Sequence, residues 1–101
     1  MDRKIQISKL PKVDEIDRAK LDGSLAKSYD KLKKLLNNDI FLKAHFKDFQ
    51  RAGSRKNHSV QLHLSLPGLE LSSSATDWNL ITALQEALGK LEREAEKKIS
   101  T

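Results

Sequence analysis

Apolar and polar residues alternate without a break from Val60 to Leu66, and the alternation ends at Pro67-Gly68. A period of two sends successive side chains to opposite faces, so this segment predicts a strand with one buried face. Pro-Gly is typical of a tight turn and reverses the chain into a short strand over residues 69–74. A chain with this hairpin needs a second layer to cover the apolar face of its sheet.

The first part of the sequence predicts one strand and one helix. Residues 4–10 alternate in the same way and stop at a proline, which indicates a short strand. Residues 11–21 carry six charges and predict a connector with room for a helical turn. A helix is then predicted from Asp22 or Ser24, either of which can cap it, to about Leu36.

This predicted helix has an apolar face and a basic face. The apolar residues recur at steps of four, three and four, and they are Leu25, Tyr29, Leu32 and Leu36. The lysines of the other face are Lys27, Lys31 and Lys34. Asn37-Asn38-Asp39 is a run of turn-forming residues that ends the helix.

Residues 40–49 predict a second strand with two different faces. One face is apolar and carries Ile40, Leu42, Ala44 and Phe46. The other alternates aromatic and basic residues, namely Phe41, Lys43, His45, Lys47 and Phe49. Residues 50–59 predict a basic turn into the third strand. A long helix follows from about Asp77, capped by Thr76 or Asp77, towards Lys98, and its apolar stripe is wide enough to cover a sheet.

The predicted order of elements is β-α-β-β-β-α. Strands joined by hairpins, with helices kept to one side, give an α+β fold. We expect a four-stranded sheet with two helices packed on one face, as in double-stranded-RNA-binding domains. A chain of 101 residues has the size of one domain, so residues 1–101 are expected to fold as one unit.

Basic residues are concentrated in the first part of the chain. Residues 1–60 hold 15 Lys and Arg against 8 Asp and Glu, or +7, whereas residues 61–101 hold 4 against 6, or −2. A regional basic surface on a small domain favours a polyanionic partner, with nucleic acid first and anionic lipid second.

Several other classes of function are not supported by the sequence. The chain has no cysteine, which excludes disulfides and thiol chemistry and fits a cytoplasmic protein. It has neither a secretory signal nor an apolar run that spans a bilayer, so no membrane partner is expected. Ser72 to Ser74 have no histidine and acid at a recognisable spacing, which predicts no catalytic residues and no small-molecule substrate. His45, His58 and His63 lack a placed carboxylate or thiolate, so no metal or other cofactor is expected.

Four short motifs, in this order, resemble the ribosome hibernation-promoting factors, also known as ribosome-associated inhibitors, factor Y or sigma-54 modulation proteins. The motifs are Lys31-Leu32-Lys33-Lys34-Leu35, Ile40-Phe41-Leu42-Lys43, Leu66-Pro67-Gly68, and residues 79–94 with the pair Lys90 and Arg93. The resemblance covers residues 22–98. Because the chain ends soon after the second helix, it is similar to the short form of this family.

The resemblance implies a translation inhibitor that acts by occlusion in the decoding channel of the small ribosomal subunit. It implies a monomer that contacts the backbone of ribosomal RNA. By position, the implied RNA-binding residues are Lys27, Lys31, Lys34, Lys43, Lys90, Arg93 and Lys97. The basic residues of the second helix can instead form ion pairs with the neighbouring Glu86, Glu94 and Glu96. In that case this side of the helix is an ordinary solvent-exposed surface and does not bind RNA.

The open face of the sheet supports two other interpretations. Aromatic and basic residues on the second strand are typical of sheets that stack single-stranded bases, although the third strand adds no further aromatic residue. Alternatively, Phe41 and Phe49 dock a protein partner and the chain is an interaction adaptor. Salt distinguishes these functions, because binding to RNA weakens steeply as ionic strength rises and apolar docking does not.

Overall fold

The computed structural model describes residues 3–50 and 56–99, and the side chains of all of these except Phe49, Gln50 and Lys56. The elements are β1 (Ile5–Ser8), α1 (Glu15–Leu36), β2 (Phe41–Gln50), β3 (Lys56–Leu66), β4 (Leu69–Asp77) and α2 (Leu80–Ile99). The predicted α+β class and the order β-α-β-β-β-α are therefore confirmed. Neither helix in this part of the chain combines the length and apolarity needed to cross a membrane.

The four strands form one mixed sheet in the order β1-β2-β3-β4. Strand β1 runs parallel to β2, and α1 makes the crossover connection that a parallel pair requires. The pairs β2–β3 and β3–β4 are antiparallel hairpins. Gly68 has a φ of 81° in the β3–β4 turn, a conformation that favours glycine.

The core lies between one face of the sheet and the two helices. The sheet contributes residues that the alternation predicts, namely Leu42, Ala44, Phe46, Val60, Leu62 and Leu64, and β4 adds Leu71 and Ala75. Helix α1 contributes Leu21, Leu25, Tyr29 and Leu32, and α2 contributes Leu80, Ala83, Leu84, Ala87, Leu88, Leu91 and Ala95. Two hydrogen bonds fix the helices against the strands, from Tyr29 Oη to Ile40 O at 3.0 Å and from Ser73 Oγ to Ala87 O at 2.7 Å.

Helix α1 begins at Glu15, two turns before the predicted start, so the prediction of a connector over residues 11–21 is wrong for most of that segment. Asp14 caps the helix and accepts a hydrogen bond from Asp17 N at 2.7 Å. Acidic residues in the first turn favour this start, because they lie near the positive end of the helix dipole. The apolar stripe then extends back to Leu21, which is fully buried. The helix ends as predicted, at Asn37 in the left-handed conformation.

Three other boundaries differ clearly from the prediction, and β1 is shorter than the predicted strand over residues 4–10. Strand β3 begins at Lys56 and β4 extends to Asp77, because mostly polar residues continue the backbone pairing beyond the alternating segment. Across that extension, Asp48 Oδ1 lies 2.7 Å from Nδ1 of His58. Helix α2 begins at Leu80 and not at residue 77, since Asn79 supplies the cap and accepts a hydrogen bond from Thr82 N at 3.0 Å.

Candidate nucleic-acid interface

The basic residues of α1 lie on its solvent-facing side, as the helical spacing predicts. Lys27, Lys31 and Lys34 are all exposed, while the apolar residues between them face the core. Among the described residues, Lys27 and Lys34 form no ion pair. Their ammonium groups can therefore bind an external phosphate without first leaving an acidic partner.

Lys31 differs, because it joins the two helices through Glu92. Its Nζ lies 2.9 Å from Oε1 of Glu92, and Ser28 Oγ donates to Oε2 of the same carboxylate at 2.6 Å. The Glu92 side chain is 19% exposed. Burial alone would raise the pKa of Glu92, but the hydrogen bonds from Lys31 and Ser28 and the charge of Lys31 outweigh it and hold that pKa below its ordinary value. Glu92 in turn raises the pKa of Lys31.

A groove of about 400 Å³ runs between the two helices beside this ion pair. Its lining includes Lys27 and Lys31 from α1 and Gln85 and Gly89 from α2. A Cβ placed on Gly89 would lie 3.9 Å from a terminal guanidinium nitrogen of Arg93, so the Arg93 side chain extends over Gly89 at the groove. The structure thus places two lysines of α1 and Glu92 of α2 in one groove, with the guanidinium group of Arg93 close to Gly89.

The basic side chains of α2 differ in the contacts that they make within the protein. Lys90 Nζ donates to the backbone carbonyl of Ser74 in β4 at 3.0 Å. Lys97 lies 3.5 Å from Glu94 one turn earlier. Arg93 is exposed and has no ion pair within the part of the chain that the structure describes. The local pairing with glutamates that the sequence allowed is therefore present at Lys97, whereas Lys90 contacts the sheet.

Lys43 lies apart from the other predicted binding residues. It projects from β2 on the face of the sheet opposite the buried row that contacts the helices. Its ammonium group lies 5.6 Å from the centroid of the Phe41 ring and so covers an aromatic face that the single-strand hypothesis assigned to base stacking. Phe49, the other aromatic residue of that hypothesis, has its side chain outside the described residues.

Two further basic residues adjoin Lys34. Arg3 forms a bidentate pair with Asp30, at 2.9 and 2.8 Å, which raises the pKa of Arg3 and lowers that of Asp30. Lys33 lies 3.4 Å from Asp39. These residues line a cavity of about 810 Å³ with Lys34 at the end of α1. The sequence gives no signal for Arg3, because 27 residues separate it from its partner. Lys33 lies within the quoted motif but off the outward face.

The three histidines are distributed over separate places. His58 pairs with Asp48, His63 Nε2 lies 3.8 Å from Oε1 of Glu70, and His45 lies on the open face. No group of three or more potential metal ligands occurs among the residues described here.

Comparisons with known proteins support the fold. No family model matches the sequence, and no curated protein matches it. Among solved structures, the chain is similar to the N-terminal domain of Protein Y from Thermus thermophilus, with a TM-score of 0.70 at 16% identity, over 96% of this chain and 98% of that one. It is also similar to a ribosomal subunit interface protein from Coxiella burnetii, with a TM-score of 0.64, the same identity and the same coverage. This chain therefore has the fold that its resemblance to the hibernation-promoting factors predicted, over nearly its whole length.

Proposed function

We propose that this protein is a ribosome-binding translation inhibitor that occupies the decoding channel of the small subunit through contacts to the backbone of ribosomal RNA. The observation that carries the proposal is the fold shared with the Protein Y domain over 96% of the chain. The outward cations on both helices supply the charge that such binding needs. The proposal includes a single domain that acts as a monomer in the cytoplasm.

The groove between the helices provides the proposed principal contacts. Lys27 lines this groove, Arg93 lies beside it at Gly89, and Lys34 lies further along α1 at the second cavity. Within the described residues none of the three forms an ion pair that phosphate binding would break. Lys31 leaves its ion pair with Glu92 and binds a phosphate in its place. Lys90 and Lys97 lie on α2 and supply further contacts. Phosphate contacts of this kind orient a protein on structured RNA and do not select a sequence. Inhibition then follows from occlusion of the channel and requires no catalytic group.

The proposal is tested by sedimentation of the purified protein with ribosomes through a sucrose cushion, at low and high salt and with isolated subunits in parallel. We expect co-sedimentation with the small subunit that decreases as salt rises, because each phosphate contact releases counterions. If the protein remains in the supernatant at both salt concentrations, the proposed function is wrong.

The binding surface is tested with the double variant Lys27→Glu/Lys34→Glu. We expect it to lose co-sedimentation and to keep its fold, because exposed substitutions usually change stability by within about 0.5 kcal/mol each. The matched control is Lys9→Glu/Lys12→Glu, which reverses two exposed charges between β1 and α1. Equal loss in both variants would indicate general charge attraction and would remove α1 from the binding surface.

A further inference from the structure

The face of the sheet opposite the helices carries two rows of polar side chains, which take no part in the packing of the helices on the sheet. The strand register places Gln6, Lys43, His63 and Ser72 in one row across all four strands. The next row consists of Ser8, His45, Gln61 and Ser74. Together they line a shallow groove of about 660 Å³ on the sheet.

The chemistry of these rows favours an anionic ligand rich in hydrogen-bonding groups. The eight side chains include one ammonium group and two imidazoles, and none of them is a carboxylate. The acid recorded beside them is Glu70, 3.8 Å from His63 at the margin of the groove. The rows contain no apolar side chain, whereas the centre of a protein interface is usually apolar and aromatic. This composition argues against a protein partner on this face.

An unpaired nucleic-acid strand fits this surface better than a duplex does. Gln, Ser and His side chains can each both donate and accept hydrogen bonds, which suits base edges and the 2′-hydroxyl. In a duplex the base edges are paired, and recognition is mainly of shape and backbone. Neighbouring strands lie about 4.8 Å apart, so a row of four side chains reaches several groups of an extended strand.

We propose that the open face of the sheet binds single-stranded RNA, with Lys43 on a phosphate and His63, His45 and Gln61 on base edges or sugar hydroxyls. Stacking has a minor role, because the ammonium group of Lys43 lies over the Phe41 ring. The inference deepens the proposed function and rests on it for the source of the RNA. Bound to the ribosome, the helices would hold one RNA element and the sheet a second, unpaired one.

The test is fluorescence anisotropy with a labelled single-stranded RNA of roughly a dozen nucleotides, within the site size of small single-strand-binding domains. We expect the double variant Lys43→Gln/His63→Ala to lower the affinity about tenfold or more, since the lost contact of Lys43 with a charged phosphate alone is worth roughly that factor. We also expect Lys43→Gln alone to reduce the salt slope by about 0.7, the value for one phosphate contact on a single strand. Circular dichroism confirms that each variant is folded.

Two controls separate this inference from its alternatives. Lys12→Gln removes one exposed charge away from the open face and should leave the affinity unchanged. If Lys12→Gln and Lys43→Gln weaken binding equally, or if the wild-type protein does not bind the strand, the inference is overturned.

The helix variant Lys27→Glu/Lys34→Glu should retain strand binding while it loses co-sedimentation with ribosomes. A helix variant that still co-sediments would refute the proposed α1 contact and leave the anisotropy result standing. Loss of strand binding in the helix variant, with Lys43→Gln/His63→Ala unaffected, would move the site from the sheet to the helices and overturn the inference.

Discussion

Glu92 of α2 links the two helices through side-chain contacts with α1. Its carboxylate accepts hydrogen bonds from Ser28 and Lys31, and the charge of Lys27 also contributes to its low pKa. A carboxylate whose pKa is lower in the folded protein than in the unfolded chain stabilises the fold when the pH is above the pKa of the unfolded chain. That contribution is lost as the pH falls through the folded-state pKa.

Replacement of Glu92 by Gln should therefore lower the free energy of unfolding by about 1 kcal/mol at neutral pH, the typical net contribution of one intramolecular hydrogen bond. The difference between wild type and variant should narrow below a pH of about 4.5, the ordinary pKa of a glutamate. Urea unfolding over a pH series measures both. The control is Glu86→Gln, an exposed glutamate on the same helix. A difference that does not change with pH would mean that ionised Glu92 does not hold the helices together.

At the residue scale, the sequence predicts which way the lysine side chains point but not which atoms they contact. Helical spacing correctly places Lys27, Lys31 and Lys34 outside the core. The partner of Lys31 lies 61 positions further along the chain, and no local spacing rule reaches it. Lys90 donates to a strand carbonyl that the packing of α2 on β4 brings near, a contact that the helical spacing does not predict, and its contact with RNA stays a prediction.

At the element scale, two glycines in similar solvent exposure have opposite roles. Gly23 lies inside α1, and a Cβ added there would contact nothing within 4 Å. Gly68 lies in the β3–β4 turn with a φ of 81°. The first position has helical geometry that alanine prefers, whereas the second has a conformation that a Cβ makes unfavourable.

We therefore expect Gly23→Ala to raise the free energy of unfolding by about 1 kcal/mol and Gly68→Ala to lower it by roughly 1–2 kcal/mol. Thermal or urea denaturation measures the pair, and each variant serves as the control for the other. A destabilised Gly23→Ala would contradict the early start of α1 at Glu15, because alanine is unfavourable there only if the segment is not helical.

The sequence predicts best those elements in which a regular pattern of apolar residues marks the buried face. The alternation in β2 and β3 gives the correct face for every apolar residue from Ile40 to Phe46 and from Val60 to Leu64. Residues 15–21 and 56–59 were misassigned because they are mostly polar. Their helix and strand are stabilised by a cap at Asp14 and by backbone pairing, which a hydrophobic pattern does not record.

At the scale of the whole molecule, the sheet separates two polar surfaces of different chemistry. The helical surface carries most of the exposed lysines and arginines together with glutamates. The open face of the sheet carries two rows of polar side chains that include no carboxylate. The alternation in the second strand predicts that Lys43 lies on the face opposite the apolar row, and the structure places it there.

This separation predicts how the affinity for ribosomes should depend on salt. Lys27→Gln and Arg93→Gln should each reduce the slope of log affinity against log salt by about 0.7–0.9, because each removes one exposed cation from the proposed binding surface. Lys12→Gln should leave the slope unchanged. The measurement is a binding titration with purified small subunits at several salt concentrations. Slopes that change equally for all three variants would indicate that ribosomes attract the net charge of the protein and that the groove between the helices has no specific role.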